Sequence, residues 1–291
     1  MALKYRLVAL DLDGTVIDRE GVVVAGAREA IRDLFERGLR VTLATGRMYQ
    51  PTNRFAEHLG ISAPLICHQG ALIREPGHGE VLSHVPLTAL LARRVIAELR
   101  EAGVHRYAYA DGAIYVEQER ENDIRYARHN GVELHLVDDL VEIAGRQPTE
   151  IAARGEPAAI DYVVGRLRER CDSEVIVGKI HASFCEIASA RSGKGNALRF
   201  VAERLGVRQD QVVAIGDGPN DVSMLKWAAL GIAVGDAPPE VPPKKQPSCC
   251  SNTSPRKPAT RSTPSRSAAT YGSTPPICSA RAWKWTTTCS T

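Results

Sequence analysis

Long hydrophobic runs are absent from this 291-residue sequence. A transmembrane helix needs about 20 consecutive apolar residues, and no stretch of the chain approaches that length. The N-terminal segment MALKYRLVALDLDG does not resemble a secretory signal, because its apolar run is short and ends in acidic residues. We therefore expect a cytoplasmic protein with no membrane partner.

Aromatic and cysteine residues are also scarce. Aromatic residues make up 5% of the sequence and hydrophobic residues 44%, so the core must consist mainly of Leu, Val, Ile and Ala. Residues 1–241 contain Cys67, Cys171 and Cys185, without a CxxC pair or zinc-type spacing. Scattered cysteines are typical of a reducing compartment and argue against a zinc site or a disulfide framework.

Acidic residues are missing from the C-terminal segment. Eight of the 37 basic residues and none of the 34 acidic ones lie in residues 242–291, so residues 1–241 carry a net charge of −5. Ser, Thr and Pro dominate this basic tail, which shows no apolar periodicity, so we expect it to be disordered. A frameshift near Val241–Lys244 is an alternative origin for the tail. Because the excess positive charge lies there, nucleic acid is not an expected partner of the acidic body.

The most informative stretch is RLVALDLDGT, residues 6–15. A short apolar run that ends in a turn signal predicts a strand buried on both faces. Side chains alternate along a strand, so Asp11 and Asp13 leave its C-terminal end pointing the same way. Two like charges this close are tolerable only if a cation lies between them or if one of them holds a proton. The stretch predicts a hard-metal site, with Mg²⁺ favoured and one carboxylate free to react, against the alternative of an ordinary acidic turn.

Strand and helix signals alternate in the first and last parts of the body, which is typical of a parallel α/β sheet. Between these parts the pattern changes to hairpins and separate helices, including a hairpin around Asp111–Gly112. We therefore predict a parallel-sheet core built from residues 1–84 and 188–241. An α+β module, residues 85–187, is inserted between the two parts.

Three further polar sites follow predicted strands or begin the helix after one. Thr45 and Gly46 fit a phosphate site made of a hydroxyl and a backbone N–H, or else a helix N-cap or a turn. Lys194, between two glycines, fits a phosphate clamp or a solvated surface lysine. The loop GDGPND, residues 216–221, fits a site for a hard cation or an ordinary turn.

In combination, these sites favour one function. Parallel strands of one sheet present their C-terminal ends at one edge, so all four sites can converge there. The combined set contains a carboxylate nucleophile, a second carboxylate, a hydroxyl, a cation and metal-binding acids. Phosphoryl transfer requires these groups.

The ordered motifs DLDGT, ATGR, SGKG and GDGPND resemble those of phosphatases of the haloacid dehalogenase (HAD) superfamily, and the large insertion resembles its Cof-type branch. The resemblance covers about residues 5–240. It implies a Rossmann-like core with an inserted cap of the C2B type. It also implies a phosphoric monoester hydrolase that uses Mg²⁺ and acts on a small phosphorylated metabolite. The family usually has Asn where Gln69 stands before Gly70.

The resemblance further implies roles for individual residues. Asp11 attacks phosphorus and becomes an aspartyl-phosphate. Asp13 protonates the leaving alcohol and then activates the water that hydrolyses the intermediate. The other implied roles are phosphate binding by Thr45, Gly46, Lys194 and Asn220, and metal binding by Asp11, Asp13, Asp217 and Asp221, with Asp221 supporting either the metal or the lysine.

Two other functions stay open at this point. A phosphomutase-type HAD enzyme would use the same nucleophile. A catalytically impaired HAD-fold binding protein would follow if the unusual tail, which replaces the final helix, strand and helix of the family core, disables the site. The sequence indicates no oligomeric state.

Overall fold

The computed structural model describes residues 4–171 and 173–234. The predicted disordered tail, residues 242–291, lies outside these ranges. Among the helices of the described ranges, none combines the length and the apolar character that crossing a membrane requires.

Strands and helices follow one another along the described chain. The strands are β1 Leu7–Leu10, β2 Arg40–Leu43, β3 Leu65–Cys67, β4 Leu72–Arg74, β5 Val81–His84, β6 His105–Ala110, β7 Ala113–Val116, β8 Leu134–Leu136, β9 Glu150–Arg154, β10 Val175–His181, β11 Phe184–Ser189, β12 Val212–Gly216 and β13 Leu230–Ala233. The helices are α1 Ala27–Glu36, α2 Tyr49–Leu59, α3 Ala89–Glu101, α4 Glu121–Asn130, α5 Pro157–Cys171, α6 Lys194–Arg204 and α7 Val222–Trp227. Short 3₁₀ turns cover His68–Gly70, Leu140–Arg146, Gln209–Gln211 and Pro219–Asp221.

The first sheet is parallel, with the strand order β13-β12-β1-β2. Strand β1 takes a central place because its four side chains are apolar and all are buried. Its last residue, Leu10, lies beside Ile215 of β12 and Leu43 of β2. The chain therefore leaves these three strands at the same edge of the sheet, which is where the predicted polar motifs begin.

Helices cover both faces of this sheet, because alternate side chains of β1 point to opposite faces. Leu7 packs in one apolar cluster with Leu198 of α6. Val8 and Leu10 pack in the opposite cluster with Ile31 of α1. Strand β3 extends the sheet through a parallel bridge between Ala44 and Ile66, and it also pairs with β4, which in turn pairs with β5.

The inserted module contains a second sheet, with the order β10-β11-β9-β6-β7-β8. Its strands are antiparallel except for the pair β7 and β8, and the hairpin predicted around Asp111–Gly112 is confirmed as β6 and β7. Helices α3 and α5 pack on one face, where Ile151 of β9 and Ile187 of β11 join their apolar cluster. On the opposite face, Ala152 of β9 packs in a cluster with Met48 of the core. The residues of β9 and β11 on the same face as Ala152 therefore point toward the core.

The predicted fold class is confirmed, with a parallel α/β core and an inserted α+β module. The boundaries at 84/85 and 187/188 stay predictions. We call the second sheet with its helices the cap.

Candidate active site

A buried ion-pair cluster joins the first and last parts of the core. Lys194 is 1% exposed, and its Nζ donates to Oδ1 of Asp11 and to Oδ1 of Asp221, each at 2.6 Å. Asp11 follows β1, and Lys194 is the first residue of α6. The alternative of a solvated surface lysine is therefore wrong for Lys194.

The loop after β12 is closed by Asp221. Its Oδ2 accepts the backbone N–H groups of Asp217 and Gly218, at 3.0 and 2.9 Å. Its Oδ1 accepts from Lys194. Both oxygens of Asp221 thus hold parts of the protein, and they fix the lysine and the loop relative to each other.

Burial controls the ionisation of this cluster. Burial raises the pKa of Asp11 to about 7, although the Lys194 ammonium opposes the shift. Burial alone would lower the pKa of Lys194, but the carboxylates of Asp11 and Asp221 outweigh it and raise that pKa. The lysine is held as a cation by its two partners.

Oxygen ligands for a metal converge beside the lysine. One carboxylate oxygen from each of Asp11, Asp217 and Asp221 lies within 4.8 Å of the other two. Burial, and then the charge of Asp221, raise the pKa of Asp217. A cation shared by these carboxylates would favour their ionised forms.

Gly14 makes room for Asp217. Its φ is +80°, in the left-handed region that favours glycine, and a Cβ at this position would collide with the Asp217 carboxylate. The hydroxyl of Thr15 donates to Oδ1 of Asp217 at 3.3 Å. The turn after β1 therefore positions an acid that lies in the loop after β12.

Asp13 lies apart from the acid cluster and is bound by an arginine. Arg47 donates from Nε to Oδ2 of Asp13 at 2.8 Å and from Nη2 to Oδ1 at 2.6 Å. Such two-pronged pairs fix both partners in direction. Our sequence reasoning gave Arg47 no role, although the signal was available, since Arg47 directly follows Gly46 in the motif ATGR.

Thr45 is 1% exposed and lies near the start of the loop that joins β2 to α2. Its hydroxyl accepts the backbone N–H of Arg47 at 3.1 Å, and its own N–H donates to the carbonyl of Ile66 at 2.9 Å. Gly46 lies between these fixed residues. The loop therefore holds the Gly46 backbone at the same sheet edge as Asp11.

Asn220 contacts a residue from a different loop. Its Nδ2 donates to Oε1 of Gln69 at 3.0 Å, and Nε2 of Gln69 donates to Oε2 of Glu186 in the cap at 3.0 Å. His68 and Gln69 both have positive φ, 48° and 56°. Two consecutive strained residues mark a loop whose conformation the surroundings impose.

The predicted site residues thus fall into three groups. The acid and lysine cluster contains Asp11, Lys194, Asp217 and Asp221. The loop of Thr45 and Gly46 and the Arg47-bound Asp13 form the second group, and Asn220, which faces Gln69, forms the third. A cleft of about 2070 Å³ between core and cap borders all three groups. Our sequence reasoning missed the cap residues Glu150 and Glu186, whose signal was an acid directly beside apolar residues in a strand.

The sequence model of the haloacid dehalogenase-like hydrolases matches residues 8–253. The chain belongs to this family. Pyridoxal phosphate phosphatase YbhA of Escherichia coli (strain K12) is 28% identical over 248 residues, covering 80% of this chain and 88% of the relative. The 5-amino-6-(5-phospho-D-ribitylamino)uracil phosphatase YitU of Bacillus subtilis (strain 168) is 25% identical over 245 residues, covering 81% and 88%. The crystal structure of TM0651 from Thermotoga maritima superposes with a TM-score of 0.70 and 29% identity, covering 81% of this chain and 89% of that one.

These likenesses confirm the predicted family and enzyme class. The protein is a HAD phosphatase, a phosphoric monoester hydrolase of the type whose named relatives act on small phosphorylated compounds. Which residues perform the reaction is not given by the family match, so the roles of the residues above stay predictions.

Proposed function

We propose that this HAD phosphatase is Mg²⁺-dependent and hydrolyses a small phosphorylated metabolite through an aspartyl-phosphate on Asp11. The observation that carries the proposal is the buried contact of Lys194 with both Asp11 and Asp221. A carboxylate can approach a phosphate dianion only when positive charge offsets their repulsion. The fixed lysine supplies part of that charge beside the reacting oxygen.

The acid cluster fits Mg²⁺. Its ligand atoms are carboxylate oxygens, which hard cations prefer, and the Asp217 carboxylate occupies space that only a glycine at position 14 leaves open. Asp11, Asp217 and the backbone carbonyl of Asp13 would hold the ion. When bound, Mg²⁺ supplies positive charge that neutralises the transferring phosphoryl group. Since both oxygens of Asp221 already accept hydrogen bonds, we assign Asp221 to Lys194 and the loop.

The two acids of the first motif have different proposed roles. With Oδ1 of Asp11 held by Lys194, its Oδ2 attacks phosphorus and the bond from phosphorus to the leaving oxygen breaks. Asp13 gives that oxygen a proton and then takes one from the water that cleaves the aspartyl-phosphate. Because Arg47 occupies both oxygens of Asp13, this contact must open for the acid step, and a phosphate group would compete for Arg47.

Phosphate binding is proposed for the loop after β2 and for two later residues. The Thr45 hydroxyl and the Gly46 N–H hold the transferring group. Lys194 neutralises it from the buried side. Asn220 contributes from the loop after β12, where Gln69 now orients its amide.

The division of the chain is likewise a proposal. Residues 1–84 and 188–241 form the catalytic core, and residues 85–187 form the cap that closes over the substrate and sets specificity. The face of the cap sheet that carries Ala152 borders the core, which supports this division. We place the enzyme in the cytoplasm, supported by the buried thiols of Cys67, Cys171 and Cys185, which form no disulfide in the described ranges.

The test is hydrolysis of p-nitrophenyl phosphate by metal-stripped protein, with and without added Mg²⁺. We expect activity to require the ion and to be lost in Asp11→Asn. Asp210→Asn is the matched control, since Asp210 is exposed and its one salt bridge within the described ranges is with the nearby Arg208. Full activity without divalent cations, or in Asp11→Asn, would refute the proposal. Transfer to a second sugar hydroxyl instead of release of inorganic phosphate would favour the phosphomutase alternative.

A further inference from the structure

Two carboxylates of the cap meet the core next to the phosphate loop. Glu186 on β11 accepts from Nε2 of Gln69, and Oε1 of Gln69 accepts from Nδ2 of Asn220, so the side chain of Gln69 links the cap to the proposed phosphate site. Oε2 of Glu186 would lie 3.4 Å from a Cβ built on Gly46. A leaving group attached to a phosphate in that loop must therefore pass close to Glu186.

Glu150 on β9 lies beside Glu186 and is 2% exposed. Its Oε2 is 2.7 Å from Nδ1 of His68, a core residue. Its Oε1 has no hydrogen-bond partner within the described part of the chain, although the residue lines the cleft. A buried carboxylate oxygen without a partner is costly, because it has lost water and gained nothing in exchange.

No cation of the described residues neutralises this pair. Neither Glu150 nor Glu186 forms an ion pair with a lysine or an arginine there, and burial lowers the pKa of His68 to about 4, which keeps its ring neutral. Arg154 is on the same face of β9, but four residues along the strand place it about 13 Å from Glu150. Burial raises the pKa of both carboxyl groups, to about 8 for Glu150.

We propose that Glu150 and Glu186 together bind a hydrogen-bond donor, an ammonium or a hydroxyl, on the leaving group of the substrate. The donor would hydrogen-bond to Oε1 of Glu150, which has no partner within the described residues, and would lie between the carboxyl groups of Glu150 and Glu186. A leaving group with a carboxylate or a second phosphate would find no cation of the described residues at this place and would be rejected. The inference rests on the proposed phosphatase function and names the class of substrate for it.

The test uses a matched series of alkyl phosphates of two and three carbons that end in methyl, hydroxyl, ammonium or carboxylate. We expect kcat/KM for the best donor-bearing member to exceed that for the methyl member at least tenfold, with the carboxylate member lowest. If kcat/KM is highest for the ammonium member, the donor on the natural substrate is charged. If kcat/KM is equal for the ammonium and hydroxyl members, the donor is neutral. Equal rates across the series, or a carboxylate member as fast as the ammonium one, would overturn the proposal.

Glu150→Gln tests the assignment to this residue. It keeps the shape but removes the carboxyl group, which can ionise against a bound ammonium, so the ratio of kcat/KM for the ammonium member to that for the methyl member should fall about tenfold. Glu156→Gln, an exposed site just past β9, should keep the wild-type ratio. An unchanged ratio in folded Glu150→Gln would contradict the proposal, and if that variant does not fold, the wild-type series decides alone. Loss of all hydrolysis, including that of p-nitrophenyl phosphate by wild-type protein, would refute the phosphatase proposal itself, and this inference with it.

Discussion

Lys194 and Asp11 touch at 2.6 Å although 183 positions separate them in the sequence. The cap lies between them in the chain, so the contact joins the two parts of the core directly. Both side chains are almost fully buried, and a buried ion pair of this kind adds little net stability because desolvation offsets the attraction. Removing one partner of the pair lowers the unfolding free energy much more, because the other charge is then buried alone. We therefore expect substitutions of Lys194 or Asp11 to have large effects.

Lys194→Met should damage both stability and activity. The substitution keeps most of the side-chain volume but leaves Asp11 and Asp221 buried without their cation, which costs about 3–5 kcal/mol of unfolding free energy. Urea unfolding measures this loss, and kcat/KM for p-nitrophenyl phosphate should fall by about 10² or more because the charge beside the phosphoryl group is missing. Lys4→Met, at an exposed lysine, should change stability by less than about 0.5 kcal/mol. A Lys194→Met protein with wild-type kcat/KM would contradict the proposed role.

The convergence of the core motifs could be predicted from the sequence. Asp11, Thr45 and Asp217 each follow an apolar strand, and parallel strands end at one edge of the sheet. The prediction of a parallel sheet was therefore enough to place these motifs side by side. The burial of Lys194 could not be read this way, because a lysine between two glycines has no apolar pattern around it. Only the partners Asp11 and Asp221, fixed by tertiary structure, make burial of the ammonium tolerable.

The cap site was beyond sequence reasoning for a different reason. Glu150 lies on β9 and Glu186 on β11, and these two strands pair with each other. Gln69, which donates to Glu186, comes from the core. The apolar periodicity of a strand predicts which of its faces is buried. It does not predict which residue of the core will contact that face. The sequence showed Gln69 where the family usually has Asn, but it did not show that Gln69 contacts Glu186 of the cap.

Gly14→Ala should weaken metal binding more than it weakens the fold. Alanine at φ +80° costs about 1–2 kcal/mol, and its Cβ would also displace the Asp217 carboxylate. The concentration of Mg²⁺ that gives half-maximal activity should therefore rise at least tenfold. Gly21→Ala is the matched control, since Gly21 has φ +77° but nothing within 4 Å of a built Cβ. If both variants need the same Mg²⁺ concentration, then Asp217 does not hold the ion.

Asp13→Asn should discriminate between leaving groups. An alkoxide leaves poorly without a proton, whereas p-nitrophenolate leaves well, so loss of a general acid affects alkyl phosphates more. We expect kcat/KM for an alkyl phosphate to fall by about 10²–10⁴, and that for p-nitrophenyl phosphate to fall much less. The ratio kcat/KM reports formation of the aspartyl-phosphate and so excludes the later base step. Equal losses for both substrates would rule out the acid role, and Asp210→Asn, at an exposed site, should leave both values unchanged.

Glu150→Gln should make the unfolding free energy depend less on pH. Burial raises the pKa of Glu150 to about 8 in the folded protein, while an unfolded glutamate titrates near 4.5, so between these values the folded state holds one more proton. The stability that this proton confers is greatest below pH 4.5 and is lost as the pH rises toward 8. From pH 4 to 6.5 the neutral His68 acts in the opposite direction, because the unfolded state then binds the extra proton.

The informative window for this variant is therefore pH 6.5 to 8, where His68 contributes little. Glu150 accounts there for a loss of at most about 2 kcal/mol in the wild-type protein, which corresponds to a fall of roughly 4–8 °C in Tm. Glu186 adds to the wild-type fall, since its pKa is also raised by burial, and that part persists in the variant. Thermal unfolding in the presence of a chelator, at several pH values, should show a shallower fall for Glu150→Gln than for the wild type and Glu156→Gln. Parallel Tm profiles for all three proteins would mean that Glu150 is ionised in the folded state across this window.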